Sequence, residues 1–351
     1  LEPSLMQILG WDIGGAHLKV ARLNEKGQIL GTHQMACPLW QGLDQLDRAL
    51  KALLTLAAVS PEDQHAVTMT GELADYFDNR KSGVTSILSQ FTQTLGTPEV
   101  RVFAGPRGFL SPQGLSDDDW MWVASANWFA SGQWAASKVS DGLFIDIGST
   151  TSDFLLLAEG KAQARGYCDH ERMSHDELVY CGLTRTPIMA LASRAPVLGA
   201  WSSPMAECFA TSADLYRITG ELREETDQYP SADAGPKTWE ASARRLGRQF
   251  GVDAETMPAG AIEALADFLR EQQIRKLHDA FMRQISRGKI ALDAPVIGAG
   301  IGRFLAQDLA ERCHRPFIDY KDLFEWMPSG TLFDAADCGP AAAVAALSLA
   351  R

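Results

Sequence analysis

The sequence predicts an α/β fold in which one structural unit is used twice, giving two domains that flank a cleft. A strand-like apolar run ending in Asp-Ile-Gly occurs twice, at Asp12-Ile13-Gly14-Gly15 and Asp146-Ile147-Gly148-Ser149. Each is followed by a second strand and a tight turn, whose glycine (Gly27 or Gly160) comes 15 or 14 residues after the aspartate. The spacing marks an internal duplication. A chain of 351 residues, 46% of them hydrophobic, is long enough to fill two cores.

Met6 to Ile13 reads as a buried strand broken at Gly14-Gly15. Leu18 to Leu23, the turn Asn24-Glu25-Lys26-Gly27 and the return Gln28 to Gln34 make a hairpin. Leu43 to Ala58 has helical spacing, with Leu43, Leu46, Leu50, Leu53 and Leu54 on one face. Ala66 to Met69 is a strand, Glu72 to Asp78 and Ser86 to Leu95 are read as helices, and Val100 to Phe103 as a strand. Trp120 to Ser137 reads as one buried helix, whose tryptophans at 120, 122, 128 and 134 step too unevenly for a ligand box and are assigned to the core.

The pattern restarts with the strand Gly142 to Ile147, followed by Ser152 to Leu157, a turn at Glu159-Gly160-Lys161, and a return strand from Ala162 to Gly166. A polar insertion of about 168–289 carries helical stretches at Thr238 to Phe250 and Ala261 to Gln284. The core resumes with a strand and glycine turn at Pro295 to Gly302, a helix at Arg303 to Cys313, a strand at Pro316 to Asp319 and an alanine-rich helix at Pro340 to Ala350. The expected domains are 1–140 and 141–337, with the last helix, about 338–350, packing back on the first.

Composition narrows the function. The formal net charge is −12, so nucleic acid is not an expected partner. No apolar run approaches the ~20 residues of a membrane span, and Leu1-Glu2-Pro3-Ser4 does not begin a secretory leader. Six cysteines without a CxxC suggest reduced thiols and a cytoplasmic protein. A homodimer is compatible with all of this.

The chemistry centres on the two Asp-Ile-Gly loops. Glycine lets backbone N–H groups approach an anion, and each strand-end carboxylate, Asp12 or Asp146, suits Mg²⁺, which favours one or two carboxylates plus phosphate oxygens and water. Gly14, Gly15 and Gly148, with the hydroxyls of Ser149, Thr150 and Thr151, would cradle a phosphate or diphosphate on a small-molecule substrate. Lys19 is either a phosphate clamp or a solvent-facing strand residue, and His17 is a base, a diphosphate contact or a residue that fixes the loop. Gly298 and Gly300 would close the cleft on a nucleotide, ATP being a candidate cofactor, or would only pack a helix on a strand. Glu72 is a helix cap or a ligand for a substrate amine; Arg172 and Arg185 hold a carboxylate or diphosphate or are surface arginines of the insertion; Asp214 and Asp233 are substrate contacts or solvated loop acids.

Asp12 to Gly15, Asp146 to Thr151 and Pro295 to Gly302 resemble the first phosphate loop, second phosphate loop and adenosine-side loop of the actin, heat-shock chaperone and sugar-kinase superfamily. That resemblance implies two ribonuclease-H-like domains around the cleft. Met69-Thr70-Gly71-Glu72-Leu73, Ala124 to Trp128 and Leu178 to Pro187 resemble the hydantoinase/oxoprolinase branch. Within it they are similar to a group linked to tetrahydromethanopterin-dependent one-carbon metabolism, which includes the aminomethylfuran ether synthase of methanofuran biosynthesis; Ala213 to Arg217 and Ser231 to Asp233 fit the same group. The resemblance implies a methylofuran-pathway transferase that joins a phenol oxygen to an aminomethylfuran diphosphate, with loss of pyrophosphate and help from Mg²⁺. The alternative is an ATP-dependent kinase or hydantoinase-type amidohydrolase; a kinase needs a base facing the γ-phosphate, and none stands out.

Overall fold

The computed structural model describes residues 7–96, 99–327 and 330–350; Met6 of the first expected strand lies outside them, as do Leu1 to Ser4. The first sheet contains β1 (Ile8–Ile13), β2 (His17–Leu23), β3 (Ile29–Ala36), β4 (Gln64–Met69), β5 (Val100–Phe103) and β6 (Phe109–Leu110), in the order β3-β2-β1-β4-β5-β6. Helices α1 (Leu43–Leu56) and α2 (Arg80–Leu95) cover one face, burying Leu46, Leu50, Leu53, Ile87 and Phe91 against Trp11, Ile13, Val67 and Met69.

The second half repeats the start of this sheet. β7 (Gly142–Ile147) and β8 (Ser152–Ala158) pair antiparallel, as β1 and β2 do. Gly14 N–H donates to His17 O at 2.9 Å, and Gly148 N–H to Thr151 O at 2.9 Å, so both loops are closed by the same bond. A β9 stub (Lys161–Ala162) and β10 (Leu178–Val179) lie on β8, while β13 (Val296–Ala299) and β14 (Phe317–Asp319) extend the sheet beyond β7. The insertion adds α5 (Asp169–Ser174), a small hairpin β11–β12 (Ala195–Val197, Ala200–Ser202), α6 (Ser212–Thr219), α7 (Trp239–Gln249) and α8 (Ala261–Ile285). With α9 (Arg303–Arg312) these fill a core around Ile145, Phe154, Leu215, Leu246, Leu277 and Leu305.

A third core joins the halves. α4 (Asn127–Lys138) and α10 (Gly339–Leu349) bring Trp128, Ala135, Ala342 and Ala345 together with Ile8 of β1 and with Phe144 and Leu155 of the second sheet. Gly10 makes the α10 contact close: a Cβ there would sit 1.9 Å from Ala341 O. Alanines on α10 leave room for that approach, which is why the helix is small-sided rather than leucine-rich.

Three expectations are corrected. Glu72 to Asp78 is a single 3₁₀ turn, Gly71–Leu73, followed by bends. The helix instead starts at Arg80, capped by Asn79 Oδ1, which accepts from Ser82 N–H at 3.0 Å. Trp120 to Ser137 is split into α3 (Trp120–Val123) and α4, because Ser125 adopts φ +50° between them. The return strand expected to reach Gly166 ends at Ala162.

Candidate functional site

The equivalent loops of the two halves open on one cavity of about 380 Å³. Asp12, Gly14, Gly15, His17 and Lys19 line it from the first half, and Asp146, Gly148, Thr150, Thr151 and Arg185 from the second. Thus the strand-end carboxylates Asp12 and Asp146 share a chamber, a placement that follows from using the same strand–loop–strand unit twice.

Burial lifts the Asp12 carboxyl to about 6, against the opposing effects of Lys19 and of the Asn127 side chain hydrogen-bonded to it. Asp12 Oδ1 is buried without a hydrogen-bond partner. Burial, and then the neighbouring Asp153 charge, raise Asp146 to about 7 despite Lys19. Asp153 is paired with Arg172, but Asp12 and Asp146 have only the Lys19 charge between them, and two buried carboxylates so placed cost free energy unless a further positive ligand joins them. The donors are hard oxygens, and an orphaned carboxylate oxygen faces no protein partner, so the residues fit Mg²⁺. Among the described residues no three His, Cys, Asp or Glu side chains form a cage; a divalent cation here would complete its shell from ligand oxygens and water.

Lys19 is not turned to solvent. It lines the cavity, and its Nζ donates to Asp337 O at 2.9 Å. His17 also lines the wall, with Nε2 unpartnered and Tyr229 edge-on at 5.1 Å between ring centroids. Burial and the nearby Lys19 and Arg185 charges drop its pKa to about 3, so the imidazole is neutral and a poor proton acceptor. Tyr229, from the insertion, reaches across to donate its hydroxyl to Ala16 O. Arg185 lies over the Trp40 and Tyr229 rings, 5.1 and 5.3 Å from their centroids, and its Nη1 donates to Thr150 Oγ1 at 3.3 Å. Ser149 itself is not in the wall; its carbonyl is held by the Thr184 and Arg185 N–H groups at 3.1 and 2.9 Å. Gly182 permits this buttress, since a Cβ there would meet Ser149 and Thr150 backbone at 2.5 Å.

Other expected site residues lie elsewhere. Gly298 and Gly300 are not in the cavity wall. A Cβ on Gly298 would meet the Phe317 ring at 2.5 Å, and one on Gly300, at φ +80°, would meet Ile147 O at 2.3 Å and Asp146 Oδ1 at 2.4 Å. This turn therefore backs Asp146. Asp214 is buried and accepts from Arg245 Nε and Ser242 Oγ, both at 2.8 Å, while Asp233 accepts from Arg245 Nη1 at 3.1 Å. Both acids are committed to holding the insertion together. Glu72 is 1% exposed and lies behind the wall, where its Oε1 accepts from Ser125 Oγ at 2.8 Å.

Sequence reasoning missed several wall residues. Asp153 stands opposite Asp146 in the β7–β8 register, as Lys19 stands opposite Asp12 in β1–β2. Position seven after each repeat's aspartate was the signal. Arg172, expected with Arg185 as a holder of a carboxylate or diphosphate, does line the wall, where its Nη2 donates to Asp153 Oδ1 at 2.8 Å and its guanidinium lies 3.8 Å from the Trp128 ring centroid. Trp128, assigned to the core, is buried yet also faces the cavity. Asn127 and Ser125 reach it only because the expected long helix breaks there.

Comparison with known proteins adds to this geometry. A hydantoinase/oxoprolinase family model matches residues 63–318. The chain is 30% identical over 251 residues, 71% of its length and 73% of the relative's, to the (4-{4-[2-(γ-L-glutamylamino)ethyl]phenoxymethyl}furan-2-yl)methanamine synthase of Methanocaldococcus jannaschii. A synthase of the same name from Methanococcus vannielii is 27% identical over 117 residues, 33% of this chain and 52% of that protein. A nucleotide-free acetone carboxylase structure superposes with a TM-score of 0.57 at 10% identity, covering 97% of this chain and 70% of that one; this likeness concerns the fold alone. Two sheets built on the same strand–loop–strand start and facing one cavity make the duplicated α/β architecture that the sequence predicts.

Proposed function

Since the chain belongs to the hydantoinase/oxoprolinase family, we propose that it is an ether-forming transferase of methanofuran-type cofactor biosynthesis. It joins an (aminomethyl)furanylmethyl diphosphate to the phenol oxygen of a tyrosine- or tyramine-type acceptor and releases pyrophosphate. The name of its archaeal relative describes such a product, an aryl ether of a furanylmethyl carbon. The observation that carries the reading is the convergence of Asp12, Asp146 and Lys19 on one cavity in a chain related to that synthase.

The residues divide the work. Asp12 and Asp146 would hold Mg²⁺, which when bound supplies positive charge to the leaving diphosphate. Lys19, Arg185 and the Thr150 and Thr151 hydroxyls bind the diphosphate oxygens, and the glycine loops offer N–H groups. Neutral His17 contributes a hydrogen bond to that anion. The furan stabilises positive charge at its exocyclic carbon, so the protein's main tasks are orientation and charge compensation. All six cysteines are free, which suits a reducing, cytoplasmic setting.

The test supplies the chain with Mg²⁺, an (aminomethyl)furanylmethyl diphosphate, and tyrosine, tyramine or γ-glutamyltyramine in turn. Pyrophosphate release, with an ether product of the expected mass, is the result this reading requires. Turnover of ATP with no ether formed would replace it with a kinase or amidohydrolase.

A further inference from the structure

The proposed reaction leaves a phenolic proton to be removed, and one buried acid beside the cavity is not consumed by an ion pair. Glu72 sits on the turn after β4, with Oε1 accepting from Ser125 Oγ at 2.8 Å and Oε2 buried without a partner. Ser125 stands in the cavity wall. Its φ of +50° costs conformational energy, and a serine is held there only by its surroundings. A hydroxyl that donates to a carboxylate keeps lone pairs free to accept from a ligand.

The charged groups around Glu72 leave this pair intact. Arg80 on α2 gives its Nη2 to Asp169 Oδ2 of α5 at 2.7 Å. Asp169 and Tyr180, just beyond β10, line the cavity on the same side and feel the Glu72 charge or act on it. Burial lifts Glu72 to about 7, against the Ser125 hydrogen bond and the Arg80 charge. His17 is the competing acceptor, but near 3 it is matched about four decades worse to a phenol of pKa ~10.

Resting on the ether-forming reading, we infer that Ser125 and Glu72 form the proton relay for the acceptor phenol. The phenol oxygen bonds to the furanylmethyl carbon as that carbon's bond to the diphosphate breaks, and the electron pair leaves on pyrophosphate. The phenolic proton passes to Ser125 Oγ while the Ser125 proton passes to Glu72 Oε1. Ser125 touches the substrate; Glu72 acts through it.

The experiment measures pyrophosphate release by the full chain with Mg²⁺, the furanylmethyl diphosphate, and the acceptor phenol that turns over fastest. Glu72→Gln keeps an acceptor for the Ser125 hydroxyl but cannot take its proton. We expect kcat/KM at pH 8 to fall about 100- to 10,000-fold, and the acid limb of the pH profile to lose one proton of slope. Ser125→Gly, which removes the hydroxyl and relieves the positive φ, should show a comparable loss. With the 3,5-difluoro acceptor, whose phenol is more acidic, Glu72→Gln should recover at least tenfold relative to the wild type. Pyrophosphate affinity by calorimetry should stay within about threefold of wild type, separating loss of the relay from loss of the fold. A Glu72→Gln rate within about threefold of wild type overturns the relay, as does a loss indifferent to acceptor acidity. A wild-type chain that releases no pyrophosphate overturns the ether-forming reading first, and the relay with it.

Discussion

Replacing Asp146 by Asn should make the protein more stable at pH 8, and far less so at pH 5. Burial and the Asp153 charge raise this carboxyl from 3.8 to about 7. The folded chain therefore binds the proton more tightly than the unfolded chain. The associated stability is complete below about pH 4 and is lost as the pH climbs to 7. Above that, the ionised side chain costs on the order of 4 kcal/mol. At pH 5 less than half of that loss, roughly 1.5 kcal/mol, has accrued. For 351 residues the entropy of unfolding is about 0.7 kcal/mol/K, so the variant should melt about 5 °C above wild type at pH 8 and about 2 °C above it at pH 5. Paired thermal melts by circular dichroism at the two pH values measure this. Mg²⁺ with pyrophosphate should raise the wild-type midpoint and leave the variant nearly unmoved. An equal gain at both pH values, or no gain at pH 8, would show that the carboxylate is not held at a cost and would undo the argument for a cation site.

Asp337 is fully buried and accepts from Arg223 at 2.6 Å and Arg303 at 2.7 Å, tying the insertion to α9; Asp337→Ala should cost about 3–5 kcal/mol and lower the melting midpoint by about 4–7 °C. Gly10→Val places atoms inside the space of Ala341 O, and denaturant titration should show a loss of about 3 kcal/mol or more. Tyr229→Phe removes the bond to Ala16 O and should cost about 1 kcal/mol. Hydrogen exchange would report it as faster amide exchange at residues 14–17 and 228–235.

Much of the frame was legible because apolar periodicity and glycine placement are local signals. The repeat could be read from Asp12 and Asp146, and α1, α7, α8, α9 and α10 fell within a few residues of their expected limits. The side-chain partners were less accessible. Strand alternation left Lys19 free to face either way, and only the position of Asp337 at the start of α10, 318 residues later, explains its inward turn. Asp214 and Asp233 looked like available acids because nothing in their own segments announced Arg245. The clearest local failure, the broken helix at Ser125, lies at the cavity. Alanine-rich sequence favours a continuous helix there, but Glu72 and Asp12 claim the Ser125 and Asn127 side chains. Local preference is overruled where the site needs it to be.

The register partners of the two strand-end aspartates have a final consequence. A perfectly duplicated floor would look the same to a ligand rotated half a turn, and a symmetric diphosphate could settle in either sense. Here one repeat offers an ammonium perched on a carbonyl, and the other a carboxylate already neutralised by a guanidinium. That divergence gives the chamber a handed electrical axis, so the proposed diphosphate substrate would meet unlike charges at its two ends and favour one orientation.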